Sequence, residues 1–247
     1  MVDKNNYVAY SVSSPITSSQ VGFYSSIFTT VMTVVTFGFA IIAVPISGAY
    51  CLEGCIKYPY LNTVAQFPKD YRWMPLAIIL VLSYLIFMVS IHNYASQHKK
   101  IFSQIGLSFA IVATSILLID YFVQFSVIPI SLISGETDGI ALLTQYNPHG
   151  VFIALEELGY LMMSLSFLLF APVFTNKNRL ESAVRWVFVT GFVLAMVSLA
   201  IISISYGLDR QYRFEIVVIS IDWLVLIING ILLSIVFRRQ LKNKRNV

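Results

Sequence analysis

Charge is scarce in this chain. Only 11% of its 247 residues are Asp, Glu, Lys or Arg, against about 25% in an ordinary soluble domain. Such a chain cannot solvate a normal surface, so lipid is its expected solvent. The small net charge of +4 does not signal nucleic-acid binding, because the basic residues gather in connecting loops and the C-terminal tail. Cysteine is limited to Cys51 and Cys55. Two thiols alone cannot build a structural zinc site, which wants four ligands. Four residues apart at the start of a loop, they are instead a candidate disulfide. No glycine-rich phosphate loop, HExxH pair or GxSxG elbow occurs, and Ser, His and Asp do not fall in a hydrolase order. The first 20 residues lack an apolar core, so no cleavable signal is expected and the first span serves as an uncleaved one.

What the chain has is long apolar runs. A spanning helix needs about 20 apolar residues. Stretches near 22–49, 74–92, 102–132, 149–174, 184–206 and 215–237 meet that need. The expected fold is all-α, a polytopic membrane bundle of six transmembrane helices joined by short loops. The expected organisation is a polar N-terminal segment at 1–20, a membrane domain at 21–237 and a basic tail at 238–247. With the N-terminus inside, Lys4, Lys99, Lys100, Lys177, Arg179, Arg185, Arg238, Arg239, Lys242, Lys244 and Arg245 are cytoplasmic. Only Lys57, Lys69, Arg72, Arg210 and Arg213 are then outside. That bias places both termini in the cytoplasm, and the plasma membrane is the expected location. Tyr58, Tyr60 and Trp73 fall where interfacial aromatic anchors belong.

Within these runs stand four acids, Asp120, Glu156, Glu157 and Asp222, with no Lys or Arg inside the same spans to pair with them. A charged carboxylate at the bilayer centre costs roughly 2.5–3.5 kcal/mol on insertion scales. Helix packing does not require that cost, so an intramembrane acid reads as functional. Residues three, four or seven apart share a helix face. Asp120 then aligns with Gln124, Glu156 with Tyr160, and Asp222 with Asn229, while Glu157 turns about 100° away from Glu156. Asn147 and Pro148 suit the first turn of the fourth span. His149, seven residues before Glu156, then joins that face. Glu156 and Asp222 each come about 12 Å below the outer ends of their helices. A polar cavity opening outward is therefore expected, lined by these residues.

Other polar positions carry blander readings. Ser25, Thr29, Thr33 and Thr36 in the first span, and Gly191, Ala195 and Ser198 in the fifth, suit close helix packing. Pro45, Pro129 and Pro172 fall near span ends and mark turns or kinks. His92 and His98 belong to an interface. The loop at 134–148 reads as a turn followed by a short apolar segment.

The functional expectation is a small carrier or permease. Asp120, Glu156 and Asp222 would bind a proton, a cation or a cationic solute, oriented by Gln124, Tyr160 and Asn229. Two alternatives stay open. One is a non-catalytic sensor or partner-binding subunit whose acids pair with another chain. The other is an intramembrane enzyme using Glu156 or Glu157 as general acid/base on a lipid-like substrate. No cofactor and no nucleic acid is expected, the lipid bilayer is the first partner, and a homo-oligomer or a membrane partner stays open.

Overall fold

In a computed structural model, residues 18–42, 45–175 and 178–245 are described. Lys4, most of the N-terminal segment and Lys177 lie outside them, as do the last two residues of the tail. The described residues are all helix, turn and loop, without a strand. Six helices are long: α1 (Ser18–Ile42), α2 (Trp73–Tyr94), α3 (Lys100–Ser126), α6 (Val151–Phe170), α7 (Arg179–Tyr206) and α8 (Gln211–Arg245). Two are short, α4 (Ile128–Ile133) and α5 (Ile140–Leu143).

Among the described residues, five helical segments are long and apolar enough to cross a membrane: Ser18–Ile42, Lys69–Tyr94, Gln97–Ile133, Val151–Val173 and Arg179–Asn243. The last is 65 residues long and contains both α7 and α8. A 3-10 turn, Gly207–Arg210, separates the two helices. Gly207 sits at φ 58°, a left-handed value that side chains with a Cβ resist. Asp209 is also non-helical. The chain reverses at this elbow, and α7 and α8 then pack side by side.

The long helices form a closed ring. α1 packs on α2, α2 on α3, α3 on α6, α6 on α7, α7 on α8 and α8 back on α1, and α6 also touches α8 across the middle. Large aromatic side chains fill the interior, among them Tyr84, Tyr121, Tyr160, Phe167 and Phe188. Apolar side chains also face outward, with Ile204 86% and Ile42 80% exposed, as a lipid-facing surface requires.

α1 departs from this plan. Its buried face is Ser19, Gly22, Ser25, Ser26, Thr29, Thr33 and Thr36, with no large side chain. Helices in lipid gain nothing hydrophobic from meeting each other, so small residues that let backbones approach are favoured at their contacts. Several α1 hydroxyls donate to their own helix, as Thr33 does to the Thr29 carbonyl at 2.7 Å and Thr36 to that of Met32 at 2.8 Å. These hydroxyls are thereby satisfied, whereas that of Thr29 on the same face has no partner. At the narrowest point a Cβ on Gly230 would collide with the Thr30 hydroxyl and lie 3.1 Å from the Ser26 carbonyl oxygen.

At one end of the bundle, loops carry the Cys51–Cys55 disulfide, with Cα atoms 5.9 Å apart. The elbow and the α3–α6 connection lie at this same disulfide end. At the opposite end, Ser19 of α1 donates to Gln240 of α8 at 3.1 Å. There Glu181 accepts from the Tyr94 hydroxyl at 2.9 Å and from both the backbone and the hydroxyl of Thr175. This carboxylate ties α2, the α6–α7 connection and α7 together.

Several boundaries differ from the sequence expectation. The described part of the first helix runs to Ile42, and residues 45–47 are not helical, so it does not extend to 49. The third run breaks after Ser126, and Pro129 falls in the first turn of the separate helix α4, which begins at Ile128. Proline lacks the N–H that continuing α3 would need. α6 starts at Val151, with Gly150 at its N-cap, so Asn147 and Pro148 are not its first turn. Asn147 organises the preceding loop instead, donating to the Ala141 carbonyl at 2.7 Å and accepting from the His149 amide at 3.0 Å. Pro172 lies in the 3-10 turn after α6.

Candidate functional site

The acids separate into two sets. Near the disulfide end, α3 brings Asp120, α6 brings Glu156 and Glu157, and α8 brings Glu215. Glu156 and Glu215 are neighbours, and Tyr121 lies beside Glu156. Asp120 lies close enough for its charge to bear on both Glu156 and Glu215. In the middle of the bundle stands Asp222, wholly buried, whose Oδ1 accepts from the Ser164 hydroxyl at 2.7 Å. The hydroxyls of Tyr121 and Tyr160 meet at 3.0 Å between the two sets. Tyr160 is close enough to feel the charge of both Glu156 and Asp222.

Glu215 and Arg210 are the residues that sequence reasoning missed. Glu215 is only 7% exposed. It is the first residue of the sixth apolar run, beside charged residues, and so does not stand out as an acid within the span. Yet 215, 222 and 229 are seven apart and share one face of α8. That spacing, extended one step toward the N-terminus, is the signal that finds it.

Arg210 changes the reading of Glu157. The guanidinium reaches from the elbow and donates to both carboxylate oxygens, at 3.2 and 3.0 Å. Glu157 is therefore paired, by a base from outside its own span. Its side chain is 7% exposed against 31% for Arg210, so the pair lies at the rim of the buried region. Neither Arg210 nor Arg213 neutralises Asp222. Arg213 lies 3.7 Å from Asp209 and stacks its guanidinium 4.3 Å over the Tyr206 ring.

Two further expected site members stand elsewhere. His149 precedes α6, so its spacing of seven from Glu156 places it on no common helix face. Its side chain is 57% exposed and its Nε2 lies 3.8 Å from Asp209. Gln124 is buried and holds the chain. Its Nε2 donates to the Leu143 carbonyl and its Oε1 accepts from the Gln145 amide, both at 2.9 Å. Gln124 thus pins the loop after α5 over the disulfide end. The Tyr146 hydroxyl strengthens that cover by donating to Asp70 at 3.2 Å. Burial, then the neighbouring Tyr71 and Asp70, push the Tyr146 hydroxyl above its usual range, so it stays a donor at ordinary pH.

The expected outward-opening cavity is accordingly closed. Asp120, Glu156, Glu215 and Asp222 are all buried, at 5%, 1%, 7% and 0% exposure. A groove does run along the outer face between α1 and α2, past Tyr24, Phe28, Ser83 and Ile86, but no carboxyl lines it.

Hydrogen bonding leaves the site incomplete. Asp120 Oδ2, Glu156 Oε1, Glu215 Oε2 and Asp222 Oδ2 have no partner, nor does either amide atom of Asn229, which is wholly buried. A buried polar atom without a partner costs about 1–3 kcal/mol, and more if charged. Each of the four acids thus leaves one buried oxygen without a hydrogen bond. Among the described residues no three His, Cys, Asp or Glu are placed to hold a metal ion together. Comparison with protein-family models, with curated proteins and with solved structures finds no match.

Proposed function

We propose that this chain is a small integral-membrane carrier that binds a proton, a singly charged cation or a cationic solute at its buried carboxyls. The observation that carries the reading is the four buried carboxyls, each with an unengaged oxygen, beside a single arginine already committed to Glu157. An ionised, unpaired carboxylate is too costly to bury, so each group must hold a proton or meet a cation. The lack of a three-ligand cluster favours a proton or a monovalent species over a divalent metal.

In this reading α7 and α8 cross separately, turning at Gly207, which gives six crossings with both ends in the cytoplasm. The disulfide end is then the outer end, in keeping with the small share of Lys and Arg there. Asp120, Glu156 and Glu215 lie in the outer half of the membrane and Asp222 lies deeper. The plasma membrane is the proposed location. Loops pinned by Gln124 and Tyr146 cover the site, so access requires them or the elbow to move.

Infrared titration of the carboxyl groups in membranes, with and without added cations, tests this. The expected result is a carboxyl band that changes with bath pH or on addition of a cation, and that diminishes in Glu156→Gln and Asp222→Asn. Bands that ignore both pH and cations would reduce the acids to helix-locking groups and end the carrier reading.

A further inference from the structure

The groove between α1 and α2 belongs to neither set of acids. Two recesses make it up, one of about 710 Å³ and one of about 300 Å³. Val21 of α1 and Ile86 of α2 line both, so the recesses run into one another. The groove starts at Ser18 and Asn93, at the end opposite the disulfide, and reaches Val31 and Ser83. From Ser18 to Val31 a helix rises about 20 Å, close to half the full bilayer thickness of about 40–45 Å. The groove therefore matches one leaflet, from headgroup level to the midplane.

Its walls are apolar, with Tyr24, Phe28 and Ile86 exposed along them. The serines in it make no demand on an occupant. Ser25 donates to the Gly22 carbonyl at 3.3 Å, Ser83 to that of Leu80 at 2.7 Å and Ser90 to that of Ile86 at 3.0 Å. A hydrocarbon chain can lie against such a wall without stranding a polar group. Apolar contact alone would not retain one, since the chain comes from lipid that is equally apolar. The mouth supplies the difference. Beside Asn93, the Lys100 ammonium donates to the His92 carbonyl at 2.7 Å. Beside Ser18, Ser19 donates to Gln240, whose neighbour Arg239 is exposed. Cations from α3 and α8 thus flank the mouth. The carboxylate at this end, Glu181, is occupied by Tyr94 and Thr175.

We propose that this groove holds one anionic phospholipid from the leaflet at that end. An acyl chain lies between α1 and α2, and the headgroup is drawn to Lys100 and Arg239. Juxtamembrane Lys and Arg attract anionic headgroups by about 1 kcal/mol each, which gives the site a preference that shape alone would not. The inference goes beyond the carrier reading and needs only that α1 and α2 cross a membrane.

Photo-crosslinking of the full-length protein in phosphatidylcholine vesicles tests this. The probes are trace phosphatidylglycerol and trace phosphatidylcholine, each with a diazirine on the acyl chain, and adducts are mapped by peptide. The phosphatidylglycerol probe is expected to label Tyr24, Phe28 and Ile86 on the order of tenfold more densely than Val193 and Val197, which are exposed on α7. Lys100→Gln combined with Arg239→Gln is expected to bring the two probes to the same density in the groove. Ile86→Trp fills the groove from α2 and Val21→Trp fills it from α1. These side chains are 52% and 39% exposed, so neither change disturbs the interior. Each is expected to lower groove labelling by both probes and to leave α7 labelling as it was. Equal labelling of the groove and α7 by phosphatidylglycerol would overturn the proposal and leave ordinary boundary lipid. Groove labelling that neither tryptophan nor the double charge removal alters would overturn it as well. So would a groove that takes neither probe in a protein that runs as a dimer, since a second copy would then be the occupant. None of these readouts involves the carboxyls, so the outcome is separate from that of the carrier reading.

Discussion

Replacing Arg210 with Met is expected to destabilise the protein by about 3 kcal/mol, the scale for removing one partner of a buried ion pair. The guanidinium makes two hydrogen bonds to Glu157, whose side chain is 7% exposed. Without Arg210 the carboxylate keeps its burial and loses its counter-charge, beside Glu156 and Glu215, which already lack cations. The native pair itself is worth far less, because ordering and desolvating both groups offset most of its attraction. Arg210→Met combined with Glu157→Met is therefore expected to recover most of the lost stability. Denaturant unfolding of the detergent-solubilised protein separates the cases. Equal destabilisation by the single and double changes would mean that Arg210 acts through packing, as the stem of a long side chain can.

Gly230→Leu is expected to be at least as damaging. A Cβ at this position already overlaps the Thr30 hydroxyl, and the Ser26 carbonyl lies behind it. Backbone cannot move aside as a flexible side chain can, so α1 must withdraw from α8 along much of their contact. Overpacking of this kind costs about 1–3 kcal/mol and sometimes more. Gly230→Ala is expected to be milder, and Thr30→Ala in the same chain to relieve part of the loss by removing the nearest obstruction. Proteolytic release of α1 in the leucine variant, under conditions where the native protein resists, would report the withdrawal. Native-like resistance and stability would show that the crossing is looser than its geometry states.

The contrast between these sites explains what was legible in the sequence. Apolar runs fix where helices lie, because length and hydropathy act locally along the chain. The α1 face of Ser25, Thr29, Thr33 and Thr36 could be read as a close contact, since its spacing is helical and its side chains are small. The partner at Gly230 could not, because nothing local to α1 names α8. Asp120, Glu156 and Asp222 stood out because each is costly in an apolar run. Glu215 did not, since it lies where the run begins and its burial depends on α6 packing against α8. The pairing of Arg210 with Glu157 is likewise a long-range contact made by a turn. His149 and Gln124 show a different limit of residue spacing. Periodicity applies only where the helix exists, and α6 begins after His149. A residue on the right face can also be claimed by a loop, as Leu143 and Gln145 claim Gln124.

The central claim is that the buried carboxyls carry a positive species across the membrane. The most direct measurement is ion movement into vesicles containing only this protein, with an internal pH dye and an imposed pH gradient, repeated with rubidium and tetraethylammonium as cation probes. The account predicts faster proton entry than into protein-free vesicles, reduced to that baseline by Glu156→Gln and by Asp222→Asn. Entry of all three species at the protein-free rate, or entry that both variants leave unchanged, would contradict it.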